Sequence, residues 1–180
     1  MPFLQPDATF LSYADVDADT LLTIGVRVLL LDIDNTLAPY EQPCPDEKIR
    51  AWFADLADAG IRAAFLSNNN AERVRLFNET LGLPAHYNAH KPLTRAAKKL
   101  WRGLGGNHRN TVLMGDQIFT DVLCARLLGV RAFLVPPIKD RTDRGTRLKR
   151  YLERGILKRY YKRHPKAPDV RPQKGKRGNT

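Results

Sequence analysis

Two aspartates one residue apart, Asp32 and Asp34, stand at the end of a short apolar run. Two carboxylates this close repel each other at the end of a buried strand, unless a cation or a shared proton compensates them. Because buried charge without compensation is costly, the pair indicates a metal ion. Carboxylate oxygens with no histidine among them favour magnesium over zinc. The sequence therefore predicts a magnesium site that begins with these two residues.

Three further sets of polar residues follow later apolar runs, namely Ser67 with Asn68, Lys91, and Asp116 with Asp121. Each set has an ordinary structural explanation by itself, such as a turn, a helix cap or a solvated charge. Together and in this order, however, hydroxyl, amide, ammonium and carboxylate groups can complete a phosphate-binding site. We therefore predict that folding brings these residues to the aspartate pair.

The elements that must position these residues alternate between strand and helix. Residues 26–33 are rich in branched side chains, which is typical of a strand buried on both faces of a parallel sheet. Further strands are predicted at 61–66, 111–115 and 131–135, and helices at 46–59, 71–81, 93–104 and 119–128. The alternation predicts an α/β fold with a doubly wound parallel sheet, in which ligands bind at the carboxyl ends of the strands.

Four strings in the sequence carry a family resemblance: LLLDIDNTL, LSNN, HKP and GDQIFTD. They resemble the four motifs of the haloacid dehalogenase-like (HAD) phosphatases, namely DxDxT, a Ser or Thr, a Lys, and an acidic pair. Within that superfamily the chain looks like subfamily IIIA, the bacterial YqeG-like and mitochondrial phosphatidylglycerophosphate phosphatases, which the extension from VPPIKD to TRLKRYLERGIL also resembles. The resemblance implies a magnesium-dependent phosphomonoester hydrolase with an aspartyl-phosphate intermediate, acting on phosphatidylglycerophosphate in phospholipid biosynthesis.

The resemblance also implies a role for each site residue. Asp32 is implied as the nucleophile, and Asp34 as the acid that protonates the leaving oxygen and then deprotonates water. The implied magnesium ligands are the Asp32 carboxylate, the backbone carbonyl of Asp34 and the Asp116 carboxylate. The implied phosphate-binding residues are Ser67, Asn68 and Lys91, and the implied supporting residues are Thr36, Gln117 and Asp121.

The order and spacing of the motifs argue against a receiver domain and against a cap. Response-regulator receivers use similar residues, but their lysine comes last, whereas here Lys91 precedes Asp116. Nine residues separate Thr36 from Asp46, and 23 residues separate Ser67 from Lys91. These connections are too short for the cap domain that covers many HAD sites. We expect an open site, suited to a phosphate on a large molecule or a surface, to which a partner subunit could add a lid.

Charge divides the chain into a neutral body and a basic extension. Residues 1–138 carry 14 Lys and Arg against 15 Asp and Glu, whereas residues 139–180 carry 16 against 4. Clustered positive charge favours a polyanion as partner, either nucleic acid or an anionic membrane surface, and a solubilising tail is the alternative. We expect a phosphatase core over 1–138, a basic amphipathic helix within 139–163 and a disordered tail over 164–180.

The predicted helix carries an apolar stripe, made of Leu148, Leu152, Ile156 and Tyr160. This stripe either docks on anionic lipid, through residues 141–163, or packs on the body. Lipid docking agrees with an open site. Two other classes remain: an enzyme for a phosphoprotein, a nucleotide or an RNA end, and a module that binds RNA or a ribosome and has secondary phosphatase activity.

Cysteine content and hydropathy indicate the compartment. Cys44 and Cys124 belong to no CxxC or Cys/His cluster, so neither a disulfide framework nor a structural zinc site is predicted. No run approaches the roughly 18 to 20 apolar residues of a spanning helix, and the first residues do not resemble a signal peptide. We expect a cytoplasmic protein, peripheral on the inner face of the membrane where the helix binds lipid.

Overall fold

Six parallel strands form one sheet in the computed structural model, which describes residues 3–139 and 144–171, and for 144–150 the backbone alone. The strands are β1 (Ala8–Thr9), β2 (Val28–Leu31), β3 (Arg62–Leu66), β4 (Ala85–His86), β5 (Thr111–Gly115) and β6 (Arg131–Leu134). Their order across the sheet is β1-β6-β5-β2-β3-β4, and every neighbouring pair is parallel. The predicted parallel α/β sheet is confirmed.

Five of the six α-helices in the described residues lie between strands along the chain, and the sixth follows β6. They are α1 (Ala18–Thr23), α2 (Glu47–Asp58), α3 (Ala71–Asn78), α4 (Arg95–Gly103), α5 (Leu123–Leu128) and α6 (Arg144–Arg163). Local side chains fix several helix starts: the Asp46 side chain accepts from the backbone N–H of Ile49, and that of Asn70 accepts from the backbone N–H of Arg73. These caps explain why the predicted starts of α2 and α3 lie within one residue of the observed ones.

Both faces of the sheet are covered, which is why the central strand β2 is apolar throughout. Leu29 and Leu31 belong to a cluster with α2 and α3, which contribute Ile49, Trp52, Phe53, Leu56, Val74 and Phe77. Val28 and Leu30 belong to a second cluster with α4 and α5, which contribute Ala96, Ala97, Leu100, Cys124, Ala125 and Leu128. Alternate residues of one strand thus enter different halves of the core, as expected of a doubly wound sheet.

The parallel register brings the carboxyl ends of three strands together. Leu31, the last residue of β2, pairs with Phe65 of β3 and with Met114 of β5. The segments after these strands therefore begin at one edge of the sheet. The connection between 67 and 91 is occupied by α3 and β4, and the one after β2 forms an isolated bridge between Asp34 and Ala38. No cap domain is inserted in either connection, as predicted.

Three elements escaped the sequence analysis, namely β1, α1 and β4. The two strands have two residues each, too few for an alternating pattern, and they form because β6 and β3 offer unpaired edges. The helix predicted at 119–128 also begins differently, with a π-helical turn over Ile118–Val122. There the carbonyl of Gln117 accepts from both Asp121 and Val122. The first turn is therefore wider than that of an α-helix, and it contains Asp121, whose side chain contacts Lys91.

The basic helix is present as α6, and it packs against the body through part of the predicted stripe. Glu153, Leu157 and Tyr160 are buried against the body. Leu152, by contrast, is 49% exposed, and the side chain of Leu148 lies outside the described part of the chain. Hydrophobic spacing thus identified Tyr160 and Ile156, which packs against the second core cluster, but it predicted packing for Leu152 where the structure buries the neighbouring Glu153.

The predicted disordered tail does not begin at residue 164. Val170 is buried against the second core cluster. The hydroxyl of Tyr161 donates to the carbonyl of Pro168 at 2.9 Å and accepts from the backbone N–H of Val170 at 2.8 Å. Composition indicated disorder here, and these tertiary contacts order residues 164–171 instead. Residues 172–180, the rest of that prediction, lie outside the described residues. No helix in the described ranges is long and apolar enough to cross a membrane.

Candidate active site

A cleft of about 490 Å³ lies at the carboxyl edge of the sheet. Its lining residues are Asp32, Asp34, Tyr40, Ser67, Asn68, Asn69, Lys91, Gln117 and Thr120. Six of them were predicted from sequence: Asp32, Asp34, Ser67, Asn68, Lys91 and Gln117. Residues that lie far apart in the chain thus meet where the topology of the sheet requires.

Lys91 lies between two carboxylates. Its Nζ is 2.8 Å from Asp32 Oδ1 and 2.7 Å from Asp121 Oδ1, and its side chain is 2% exposed. Burial by itself lowers the pKa of Lys91, but the Asp121 and Asp32 carboxylates outweigh burial and raise that pKa above its ordinary value. The ammonium group is therefore a permanent positive charge at the floor of the cleft.

Asp32, Asp116 and Asp121 form a buried carboxylate cluster, with one oxygen of each within 4.8 Å of the others. Asp116 and Asp32 were predicted as metal ligands, and Asp121 as a supporting residue that orients Lys91 or a metal-bound water. The structure places Asp121 against Lys91 and in this cluster as well. Its approach requires glycine at 115, because a Cβ there would overlap the Asp121 carboxyl group.

The carboxylate cluster fits a divalent cation. Three buried carboxylates face one lysine, so the site carries excess negative charge that a cation can balance. Burial raises the pKa of Asp32, Lys91 lowers it, and the neighbouring Asp121 and Asp116 raise it further. All three donors are oxygens, which hard divalent ions prefer. Asp32 and Asp116, with the backbone carbonyl of Asp34, could hold the ion, and Asp121 is close enough to take part.

We expect a divalent cation to stabilise the fold, and Asp116→Asn to remove most of that effect. At a hundredfold excess over Kd, binding contributes about 2.7 kcal/mol, which corresponds to a Tm increase of roughly 5–10 °C for a chain of this size. Because the pKa of Asp32 is raised in the folded state, the cation-free protein loses stability as pH rises above the ordinary carboxyl range. The Tm increase should thus be larger at pH 8 than at pH 5.

Thermal unfolding with and without 5 mM Mg²⁺, at both pH values, tests this expectation. The matched control is Asp58→Asn, an exposed aspartate at the end of α2, which should behave as the wild type. An Asp116→Asn protein that gains as much Tm from the cation as the wild type would exclude Asp116 as a ligand.

Each residue of the run Ser67–Asn70 has a different contact. Ser67 Oγ accepts from the backbone N–H of Asn69 at 3.0 Å. The Asn68 side chain accepts from the backbone N–H of Lys91 at 2.6 Å and donates to the Lys91 carbonyl at 3.2 Å. Asn70 caps α3. Asn68 was predicted as a phosphate-binding residue, and the structure adds that its side chain holds the loop that carries Lys91.

Asp34 has its own set of partners, separate from those of Asp32. Its Oδ1 accepts from Arg73 Nε at 2.9 Å, and its Oδ2 accepts from Asn69 Nδ2 at 2.9 Å. Sequence reasoning missed both partners. A signal was present, because Asn70 is a good N-cap soon after the strand that ends at Leu66, and a helix starting there brings Arg73 into its first turn, near the cleft.

The remaining predicted supporting residues lie where they were expected. Thr36 is buried within the loop that follows β2, and Gln117 lines the cleft, where its backbone N–H donates to Asp121 Oδ2 at 3.1 Å. Tyr40 and Thr120 also line the cleft and were not predicted. They lie in loops whose course depends on tertiary contacts, so sequence spacing gave no signal for them.

This arrangement has the parts that phosphoryl transfer needs. A buried carboxylate lies against a lysine and belongs to a carboxylate cluster that fits a cation, a serine hydroxyl lines the same cleft, and a second carboxylate follows two residues later in the chain. Such reactions depend mainly on positioning and on stabilising negative charge on the phosphoryl oxygens. Asp32 and Asp34 are separated by a single residue in sequence, yet they have different environments. They are therefore suited to different tasks.

Comparison with known proteins gives the site a context. No family model matches the chain. A protein of Bacillus subtilis (strain 168) described as "Probable phosphatase YqeG" is 34% identical over 155 residues, which cover 86% of this chain and 90% of that protein. Among solved structures, an uncharacterized protein from Listeria monocytogenes serotype 4b is 16% identical with a TM-score of 0.52, over 66% of this chain and 84% of that one. A cobalt-bound deoxy-D-mannose-octulosonate 8-phosphate phosphatase from Haemophilus influenzae is 20% identical with a TM-score of 0.42, over 52% of this chain and 60% of that one.

Proposed function

The chain belongs to the YqeG family of HAD phosphatases, and we propose that it is a magnesium-dependent phosphomonoester hydrolase that dephosphorylates phosphatidylglycerophosphate at a membrane surface. The observation that carries the chemistry is the buried Asp32 carboxylate at the floor of an open cleft, against Lys91 and two further carboxylates. The substrate is proposed from the family resemblance of the sequence, and the open cleft and the charge of α6 agree with it.

In the proposed reaction, Asp32 attacks phosphorus and forms an aspartyl-phosphate as the bond to the ester oxygen breaks. Asp34 gives its proton to that leaving oxygen, so the alcohol departs neutral. Asp34 then removes a proton from a water molecule, whose oxygen bonds to phosphorus as the bond to Asp32 breaks, and inorganic phosphate is released. Lys91 balances charge on Asp32 and on the phosphoryl oxygens, and Ser67 donates a hydrogen bond to them.

Magnesium is proposed as the cation because the cluster offers carboxylate oxygens and no histidine. Asp32, Asp116 and the Asp34 carbonyl would hold it. When bound, it supplies positive charge that polarises the phosphoryl group. Activity with Mg²⁺ that equals activity in a chelator would contradict this assignment.

The shape of the cleft supports a large or surface-bound substrate. Tyr40, Gln117 and Thr120, which lie in segments between the described strands and α-helices, are among its lining residues, and no cap domain is inserted after β2 or between Ser67 and Lys91. Enzymes for small metabolites commonly close a lid over the substrate to exclude water. A cleft without one can accept a phosphate that projects from a bilayer.

The outward face of α6 supports an anionic surface as partner. Over 151–163, where its side chains are described, the exposed ones are Tyr151, Leu152, Lys158, Arg159, Lys162 and Arg163. Each basic residue near an anionic bilayer contributes roughly 1 kcal/mol to binding. Glu153 Oε1 accepts from the backbone N–H of Ile118 at 2.9 Å, and Ile118 directly follows the cleft residue Gln117. The exposed pair Tyr151 and Leu152 therefore lies on the helix turn that contacts the edge of the cleft.

The aromatic residues of α6 support RNA binding, one of the alternatives, less well than they support lipid binding. Tyr160 is buried, and the hydroxyl of Tyr161 is bonded to Pro168 and Val170. Single-stranded RNA binding needs exposed rings on which bases can stack. Tyr151, 71% exposed, is an isolated ring beside a leucine, an arrangement better suited to a lipid interface.

Phosphate release from phosphatidylglycerophosphate in mixed micelles with Mg²⁺, measured beside sugar phosphates, nucleotides, phosphopeptides and 5′-phosphorylated RNA, tests the substrate. We expect at least a tenfold higher kcat/KM for the lipid. A preference for any soluble phosphate would leave the phosphatase chemistry in place and overturn the lipid assignment.

Co-sedimentation with vesicles of phosphatidylglycerol and phosphatidylcholine tests the docking surface. We expect the pair Lys158→Glu and Arg159→Glu to weaken retention at 0.15 M salt at least tenfold, because it reverses two charges on the exposed face. The pair Lys98→Glu and Lys99→Glu, equally exposed on α4, should change retention little. Equal losses in both variants would indicate an effect of net charge and not of this face.

A further inference from the structure

The guanidinium group of Arg73 connects the Asp34 carboxylate to the loop after β2. Nε donates to Asp34 Oδ1 at 2.9 Å. Nη1 donates to the carbonyls of Gln42 at 2.8 Å and Pro43 at 3.0 Å, and Nη2 donates to the carbonyl of Pro39 at 3.5 Å. The side chain is 11% exposed and lies over the ring of Phe77, 5.2 Å from its centroid. The group is therefore fixed in position from several sides.

These contacts distinguish Arg73 from a phosphate-binding residue. Arginine has five N–H donors, and the four hydrogen bonds of Arg73 all end on acceptors of the protein itself. The residue is also absent from the side chains that line the cleft in the described part of the chain. The planar guanidinium group instead fixes the position of the Asp34 carboxyl relative to the loop that carries Tyr40.

We propose that Arg73, together with Asn69, is a positioning residue that holds the Asp34 carboxyl for proton transfer to and from the reacting phosphate ester. The proposal rests on the proposed function, in which Asp34 protonates the leaving oxygen and later deprotonates water. Each Asp34 oxygen accepts one hydrogen bond, from Arg73 or from Asn69, and a carboxyl oxygen has two lone pairs. A lone pair therefore remains to carry the proton while the carboxyl group cannot rotate.

The two aspartates consequently depend on different cations. Asp32 is paired with Lys91, and Asp34 with Arg73, which makes no ion pair with Asp32. Loss of the Arg73 side chain should thus leave the nucleophile and the cation site intact and impair proton transfer alone. Proton transfer matters most when the leaving group is a poor one, because a stable leaving anion departs without a proton.

The test compares two esters with saturating Mg²⁺, p-nitrophenyl phosphate with a good leaving group and glycerol 3-phosphate with a poor one. Arg73→Met, close in length and without charge, should lower kcat/KM for the alkyl ester at least about a hundredfold and for the aryl ester less than about tenfold. Asp34→Asn should show the same selectivity. Arg73→Lys should recover part of the loss on the alkyl ester, since an ammonium group can reach Asp34 but cannot reproduce the fork.

The matched control is Arg75→Met on the same helix, an exposed arginine 3.8 Å from Glu79, which should leave both esters unaffected. If Arg73→Met does not fold, Asn69→Ala, which removes the other hydrogen bond to Asp34, is measured in the same way. Equal losses on both esters would overturn the proposal. A wild type that hydrolyses neither of these esters nor phosphatidylglycerophosphate would overturn the proposed function and this inference with it, whereas failure on the lipid substrate alone would leave the ratio between the two esters, and the inference, intact.

Discussion

Replacement of Asp32 by Asn is expected to abolish phosphate release, lowering kcat at least about a thousandfold. The amide has nearly the same shape but lacks the carboxylate that attacks phosphorus, so no aspartyl-phosphate can form. The fold should persist, because Lys91 keeps its 2.7 Å contact with Asp121, and because a neutral amide is easier to bury than the carboxylate whose pKa burial already raises.

The measurement is single-turnover phosphate release, together with acid trapping of phosphorylated protein. The wild type should yield a trapped acyl phosphate that is labile to hydroxylamine, and Asp32→Asn should yield none. The exposed Asp58→Asn serves as the control and should keep full activity. Turnover retained by the Asp32→Asn protein would remove Asp32 as the nucleophile.

Replacement of Lys91 by Met should affect stability and activity together. The variant leaves the buried carboxylates of Asp32, Asp116 and Asp121 without the ammonium group between them. Removal of one partner of a buried ion pair commonly costs about 3–5 kcal/mol. Activity should fall at least about a hundredfold, because the charge that stabilises the phosphoryl oxygens is lost.

Urea unfolding in a chelator and then with Mg²⁺ separates the two effects. The cation should restore part of the free energy of unfolding of Lys91→Met but little of its kcat, since it can balance carboxylates without replacing the lysine. The double variant Lys91→Met with Asp121→Asn should regain some stability in the chelator, because it removes one uncompensated charge. Lys139→Met, which breaks an exposed pair with Glu41, is the control and should change stability by less than about 1 kcal/mol. A Lys91→Met protein as stable as the wild type in chelator would contradict this account of the site.

The site therefore contains two sets of paired charges, and each set includes one aspartate of the loop after β2. In the proposed mechanism, the first set contacts the phosphoryl group and consists of Asp32, Lys91 and Asp121. The second set consists of Asp34, which transfers protons, and Arg73, which holds the Asp34 carboxyl in position. Ile33 separates the two carboxylates in sequence and is fully buried. Strand alternation would place Asp32 and Asp34 on the same face, but both residues follow the end of β2, and Asp34 already belongs to the isolated bridge with Ala38. The loop after β2 therefore gives the two carboxylates their different surroundings.

Much of the site was predictable because its residues lie in short sequence segments whose local pattern can be recognised. The apolar runs before Asp32, Ser67 and Asp116 predicted strands, and the parallel topology that followed from strand and helix alternation predicted that their carboxyl ends meet. The lengths of the connections excluded a cap. The partition of charge between residues 1–138 and 139–180 is likewise a property of the sequence alone.

Other features were decided by the tertiary structure. Asn69 and Arg73 reach Asp34 across 35 and 39 residues of chain, and Glu153 reaches Ile118 across 35. Their positions depend on the register of β2 against β3 and on how helices pack over the sheet, which hydrophobic periodicity does not specify. Val170 and the hydrogen bonds of Tyr161 order residues that composition alone assigned to a disordered tail.

The division has a physical reason. Strand runs, caps and motif order result from interactions between residues near in sequence, so they can be recognised there. The partner of a buried charge depends on which groups the whole fold brings within about 3 Å of it. It can therefore be identified only from the tertiary structure. The sequence by itself therefore determined that carboxylates, a lysine and a serine would meet at one edge, and the tertiary structure decided that Lys91 joins Asp32 and Asp121 while Arg73 holds Asp34.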